Sequence, residues 1–302
     1  MLLLGGGLVL VVLGAEWFFK ALLSLSGRLR MAPFVLTALV SGFELENLAA
    51  GIAANAKGFP DAAAGTFLGG TTFLAFGVTG LAAVISPLRA DVPPVSILWA
   101  AASPVALVAV AVDGEVSRLD GALLVLWFAA VMFAITRTGR HLLVENPERE
   151  PGKKYPLLRL LGGLALLSVG GEILGEGIRT AIARFGVSQT LLGNTIVAAS
   201  VEAEELGRVA VPAKRGRADV AIGNIVGTLV HFIAFNAGVI ALVRPLHLER
   251  ESLYLHLPVA VASVLTMTLL IVGRKGIGRL AGAVLLVFYV GYLVAAVAVA
   301  VA

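Results

Sequence analysis

The chain contains no cysteine among its 302 residues, which excludes disulfides, thiolate metal sites and cysteine nucleophiles. Charge is nearly as scarce. Only 14% of residues are Asp, Glu, Lys or Arg, against roughly a quarter in soluble domains. So few charges cannot cover a soluble globule of this length, and two soluble domains are ruled out. No basic run with interleaved aromatics occurs, so no nucleic-acid partner is expected. The first residues are apolar at once, without the positive segment of a secretory signal, and are expected to form a retained helix. An H-E-x-x-H motif is also missing. The four histidines (His141, His231, His247 and His256) are scattered, which argues against an intramembrane metalloenzyme.

What is present is apolar: 59% hydrophobic residues, 35 glycines and a mean hydropathy of +0.96. Glycine is frequent in membrane helices. A span needs about 20 mostly apolar residues. Ten segments qualify, near 2–26, 33–56, 61–86, 94–112, 119–137, 156–183, 189–213, 218–243, 253–273 and 279–301. The longest break runs from Arg137 to Tyr155 and falls at the midpoint. Loop Lys and Arg divide fifteen to six between the two sides, with Lys20 and Arg208 inside spans. The richer side is expected to be cytoplasmic, so both termini are expected outside a multi-pass protein of the cell membrane. The division is residues 1–142, a cytoplasmic linker at 143–155, and residues 156–302.

The halves repeat. Gly6-Gly7-Leu8 returns as Gly162-Gly163-Leu164, and Gly14-Ala15-Glu16 as Gly170-Gly171-Glu172, both at an offset of 156. Glu44-Leu45-Glu46 returns as Glu202-Ala203-Glu204 at 158, and the same offset pairs Asp61 with Asp219, Gly65 with Gly223 and Gly69 with Gly227. Five spans per half is odd, so the second copy enters from the opposite side. The expected fold is therefore all-α and polytopic, with about ten transmembrane helices in two inverted five-helix repeats. Secondary transporters of this kind bind their ions at the midplane where the repeats meet.

Ionisable residues inside a span are costly and suggest function. Eight of the nineteen acids lie well inside the expected spans: Glu16, Glu44, Glu46, Glu172, Glu176, Glu202, Glu204 and Glu205. Residues three apart share a helix face, so Glu44 with Asn47, and Glu202 with Glu205, point the same way and converge if the repeats meet at a two-fold axis. Carboxylates gathered round one point repel unless a cation sits among them. Hard oxygen ligands without thiolates suit Ca²⁺, Mg²⁺ or Mn²⁺, and protons compete for the same oxygens. The expected metal ligands are Glu44, Asn47, Glu202 and Glu205. Glu46 and Glu204 face elsewhere, toward a vestibule or Arg208. Asn224 and Thr228 could add oxygens, and His231 is either a packed histidine or a proton relay. Glu16 and Glu172 either line an ion path or tie their helices to the core. The glycines of Gly65–Gly69 and Gly223–Gly227 have the spacing that lets helix backbones approach closely.

This layout resembles the sodium/calcium exchanger family of the cation/Ca²⁺ antiporter superfamily over essentially the whole chain. That family carries a GTS-x-PE or GTS-x-PD motif in each half, followed some eighteen residues later by G-N-x-x-G-S. Gly223-Asn224-Ile225-Val226-Gly227-Thr228 resembles the latter, and Arg244-Pro245 resembles Ser86-Pro87 of the first half. The spacing places Glu205 at the family's acidic position and Asn47 at its first-half counterpart. Glu44 and Glu202 fall where the family has the Ser of GTS, Phe43 and Val201 replace its Thr, and Leu74 and Phe232 lie at or near a frequent Asn or Asp.

The resemblance implies a secondary antiporter, not an enzyme, that exports a divalent cation (Ca²⁺ foremost, Mg²⁺ or Mn²⁺ otherwise) against Na⁺ or H⁺ by alternating access. Its partners are membrane lipid and those ions, with no resident cofactor, and the pattern is compatible with a monomer. A cation channel or a metal-binding membrane protein using the same carboxylates are the alternatives.

Overall fold

The computed structural model describes residues 2–42, 45–139, 155–183 and 203–301. Eight of their helices are long and apolar enough to cross a membrane: 5–29, 60–85, 94–111, 118–138, 156–177, 218–243, 252–274 and 279–299. The second span is broken into helices Pro33–Val40 and Leu45–Ala56, and the seventh contributes helix Ala203–Lys214. Ten spans therefore follow one another in the expected order. Most of the 143–155 linker and the start of the seventh span lie outside the described residues.

Local chemistry sets the ends of these spans. Pro33, Pro60 and Pro94 open helices where the missing N–H costs nothing. Gly58 and Gly216, 158 residues apart, take φ values of +84° and +73° in the turns leading into the third and eighth spans, a conformation that favours glycine. Both of these spans contain a π-helical segment at the same place, Phe73–Val78 and His231–Asn236. Both end where the backbone turns extended, at Ser86 and Arg244.

The two-fold relation of the halves is visible in contacts that exchange partners. A Cβ on Gly7 would strike the backbone of Leu174, and one on Gly163 would strike that of Phe18; adding 156 turns one contact into the other. Gly14 against Leu167 and Gly170 against Val11 form a second such pair. These glycines bring the first and sixth spans together along an antiparallel seam with its own apolar cluster around Phe18, Leu22 and Leu167.

The other spans share one large core. In it the third span packs on the tenth, with Gly80 facing the carbonyl of Gly282, and the eighth packs on the fifth, with Gly238 facing the carbonyl of Gly121. The Phe73–Tyr289 edge contact (ring centroids 5.2 Å apart) is repeated as His231–Phe128 (4.6 Å). Outside the helices, Glu115–Val116 pairs antiparallel with Leu246–His247, and Leu88 bridges Ile277. Each repeat thus sends its fifth span into the other repeat.

Candidate cation site

The site forms where the second and seventh spans meet the eighth. Helix Pro33–Val40 stops at Ser41-Gly42, and Ser41 Oγ donates back to the Thr37 carbonyl at 2.6 Å. Gly42 is needed there because any Cβ would collide with the His231 ring. Across the gap, the helix starting at Ala203 presents Glu204, Glu205 and Arg208. On the eighth span Gly223 and Gly227 press against the carbonyls of Phe34 and Ala38, so the close helix approach expected of this glycine pair is realised. Among the described residues nothing lies within 4 Å of a Cβ on Gly65 or Gly69.

Glu205 is fully buried. Its Oε2 accepts from Asn224 Nδ2 at 2.5 Å and its Oε1 from Arg208 Nη1 at 2.6 Å. Arg208, 3% exposed, also donates to Glu204 Oε1 at 2.8 Å and to the Ser41 carbonyl at 2.9 Å. Ser168 of the sixth span donates to the other oxygen of Glu204. Removing one member of a buried ion pair of this kind typically costs about 3–5 kcal/mol, because the other charge is stranded. The carboxyamide oxygen of Asn224 and, one turn on, the hydroxyl of Thr228 are buried with no partner among the described residues. Two orphaned oxygens beside a buried carboxylate are the donor types a hard cation takes.

The sequence candidates separate accordingly. Glu205, Glu204 and Asn224 come together around Arg208, and Thr228 lies one turn beyond Asn224 on the same face. Asn47 is buried in the second half of the second span. Glu44 and Glu202 lie outside the described residues, as does the side chain of Glu46, and among the described residues no three His, Asp or Glu gather to hold a metal. His231 has the surroundings of a packed histidine: fully buried, Nδ1 2.8 Å from the Gly227 carbonyl, ring edge-on to Phe128.

Glu16 acts as a tie. It pairs with Lys20 at 2.9 Å and with Arg215, which joins the first span to the seventh, whereas Glu172 is exposed on the sixth. Sequence reasoning offered Arg208 only to Glu204. Its spacing of three from Glu205 was an equally good helix contact, but the third partner, the Ser41 carbonyl, had no signal in the sequence.

The sequence profile described as "Sodium/calcium exchanger protein" matches residues 1–137 and 155–298. The chain belongs to the sodium/calcium exchanger family. This family consists of antiporters, so the protein is a multi-pass membrane transporter and not an enzyme. Sodium/calcium exchanger MaX1 of Methanosarcina acetivorans is 26% identical over a gapped alignment of 358 positions that covers 95% of this chain and 95% of MaX1. Inner membrane protein YrbG of Escherichia coli is 27% identical over 260 residues, 79% of this chain and 78% of YrbG. Among solved structures, the sodium-calcium exchanger NCX_Mj superposes with a TM-score of 0.81 at 25% identity over 95% of each chain. The inverted ten-helix architecture is that of this exchanger fold.

Proposed function

We propose that this exchanger carries a divalent cation out of the cell, Ca²⁺ foremost with Mg²⁺ and Mn²⁺ as the other candidates, in return for Na⁺ or H⁺. The observation that carries the reading is the buried Glu205 carboxylate held at a helix break between two inverted repeats, next to the orphaned oxygens of Asn224 and Thr228. Glu44, Asn47, Glu202 and Glu205 form the ligand set in this reading, with Glu46, Glu204, Asn224, Thr228 and His231 along the ion path. Inverted repeats supply two packings of similar energy, one open to each side, which suits alternating access. Exchange follows from charge: an ion-free, ionised cluster in the membrane interior is costly to reorient, so something cationic must replace the departing metal. Both termini face outside in this topology. The names of MaX1 and NCX_Mj speak for Na⁺ and Ca²⁺ in those proteins.

The test is uptake of Ca²⁺, Mg²⁺ and Mn²⁺ into proteoliposomes under a Na⁺ gradient or a pH gradient. Saturable divalent uptake driven by one of the two gradients is expected, and identifies the coupling ion. Flux that ignores both gradients and does not saturate would instead identify a channel.

A further inference from the structure

Two basic residues, Lys20 and Arg208, lie well inside spans and away from their ends. The side chain of Lys20 is 38% exposed, whereas that of Arg208 is 3% exposed. The ligands of Arg208 are unlike those of an ordinary surface arginine. It is held by the carboxylates of Glu205 and Glu204 and by the main-chain oxygen of Ser41, with the Phe18 ring 6.0 Å away. Ser41 ends a helix, so that carbonyl belongs to the negative end of a helix dipole. A carboxylate facing carbonyls of a broken span is the surrounding in which transporters of this architecture hold cations. The guanidinium therefore sits in a cation's donor set. The equivalent position in the first repeat, 158 residues earlier, is Ala50, so the feature belongs to one repeat only.

We propose that Arg208 is a tethered cation, occupying one charge position at the Glu205 site in competition with the transported ion. With Arg208 on Oε1 and Asn224 on Oε2, each oxygen of Glu205 already has a donor, and a cation arriving at this buried carboxylate is repelled by the guanidinium charge until that charge moves away. Glu204, four residues before Arg208 and bonded to it already, keeps the displaced charge paired. Arginine does not lose its proton in proteins. The tethered charge therefore also neutralises the ion-free site, and the return half of the cycle needs one monovalent counter-ion fewer than Glu205 alone would demand. This last consequence rests on the antiporter reading above; the competition itself does not.

The test uses the full-length protein, titrated with Ca²⁺ and Mn²⁺ by calorimetry in detergent and reconstituted for reversal-potential measurement. Arg208→Gln is expected to bind the divalent ion about tenfold tighter, within the range of ordinary coupling between two sites, and a further Glu205→Gln should erase the gain. The coupling ratio should rise by one monovalent charge per divalent ion. Arg208→Lys, which keeps the charge, should keep the wild-type affinity. Should Arg208→Gln not fold, the double variant Glu204→Gln/Arg208→Gln removes the pair together and carries the same two expectations. Unchanged affinity and ratio in whichever variant folds overturn the tethered cation while gradient-driven flux in the wild type upholds the antiporter. Tighter binding without any wild-type flux overturns the antiporter and upholds the competition.

Discussion

At position 47 the first repeat has a neutral amide, and 158 residues later the second has Glu205, fully buried beside an arginine. The neighbours differ in the same sense. Thr66 of the first repeat turns its hydroxyl onto the carbonyl of Ala63 in its own helix, while its counterpart Asn224 reaches out to Glu205. Phe73 fills the place that His231 fills in the second repeat. The backbones nonetheless agree down to the π segments and the positive-φ glycines. Scaffold and chemistry have diverged separately: the two-fold governs packing, and the second repeat carries the described charge at the centre.

Substitutions can break this comparison at either level. The largest effect is expected from Glu205→Gln, which should reduce gradient-driven exchange to that of empty liposomes while the protein stays monodisperse on gel filtration. Glu202→Gln should behave likewise, and retained wild-type flux in either would remove that residue from the site. Asn47→Ala should weaken divalent affinity only about tenfold, the worth of a neutral contact of roughly 1–1.5 kcal/mol. Equal losses at positions 47 and 205 would make the site symmetric after all.

The packing level is tested by Gly7→Ala and Gly163→Ala. Each forces a methyl group onto a facing backbone and should cost about 1–3 kcal/mol in denaturant unfolding. Because their contacts exchange under the two-fold, the two costs should agree; a large difference would show that the first–sixth seam is not symmetric.

Smaller effects belong to the paired acids at the ends of the third and eighth spans. Asp219 takes the fork of its neighbour Arg217, with both side chains about a quarter exposed. Asp219→Asn should therefore change stability by no more than about 1 kcal/mol. Asp61 reaches across to the other repeat, accepting from Ser252 at 2.6 Å and from the Glu249 amide at 3.3 Å. A hydrogen bond with Asp61, and then its charge, hold the exposed Glu249 carboxyl above its ordinary range. An acid whose folded value is raised favours its protonated form in the fold. Its contribution is present below the ordinary carboxylate range and is lost as pH rises through the raised value. Asp61→Asn should abolish this shallow pH dependence of the unfolding midpoint, and an unchanged profile would assign it to another group.

Much of this was open to a reader of the sequence, because the offsets of 156 and 158 place glycines and acids in register and an odd number of spans forces inversion. What stayed hidden has physical reasons. The fifth and tenth spans are related by an offset of 161 (Gly121 to Gly282, Phe128 to Tyr289), with too few shared residues to announce it. The π segments depend on tertiary packing rather than on a local signal. The role of Ser41 lies in a main-chain oxygen, which every residue has, so no residue type could advertise it. Charge inside a span did show itself, but helix spacing allowed Arg208 two acids and could not say that it would hold both.

The exchange of fifth spans has a consequence for ancestry. Gly121 closes against the eighth span and Gly282 against the third, and short β contacts fasten the ends of the same pairs. Neither half encloses a finished interior from its own sequence. A single-repeat ancestor could complete its packing only against a second copy inserted upside down in the same bilayer. Carried in one chain, the two copies make that encounter intramolecular, and the second alone places an arginine at the shared position, Arg208 against Ala50.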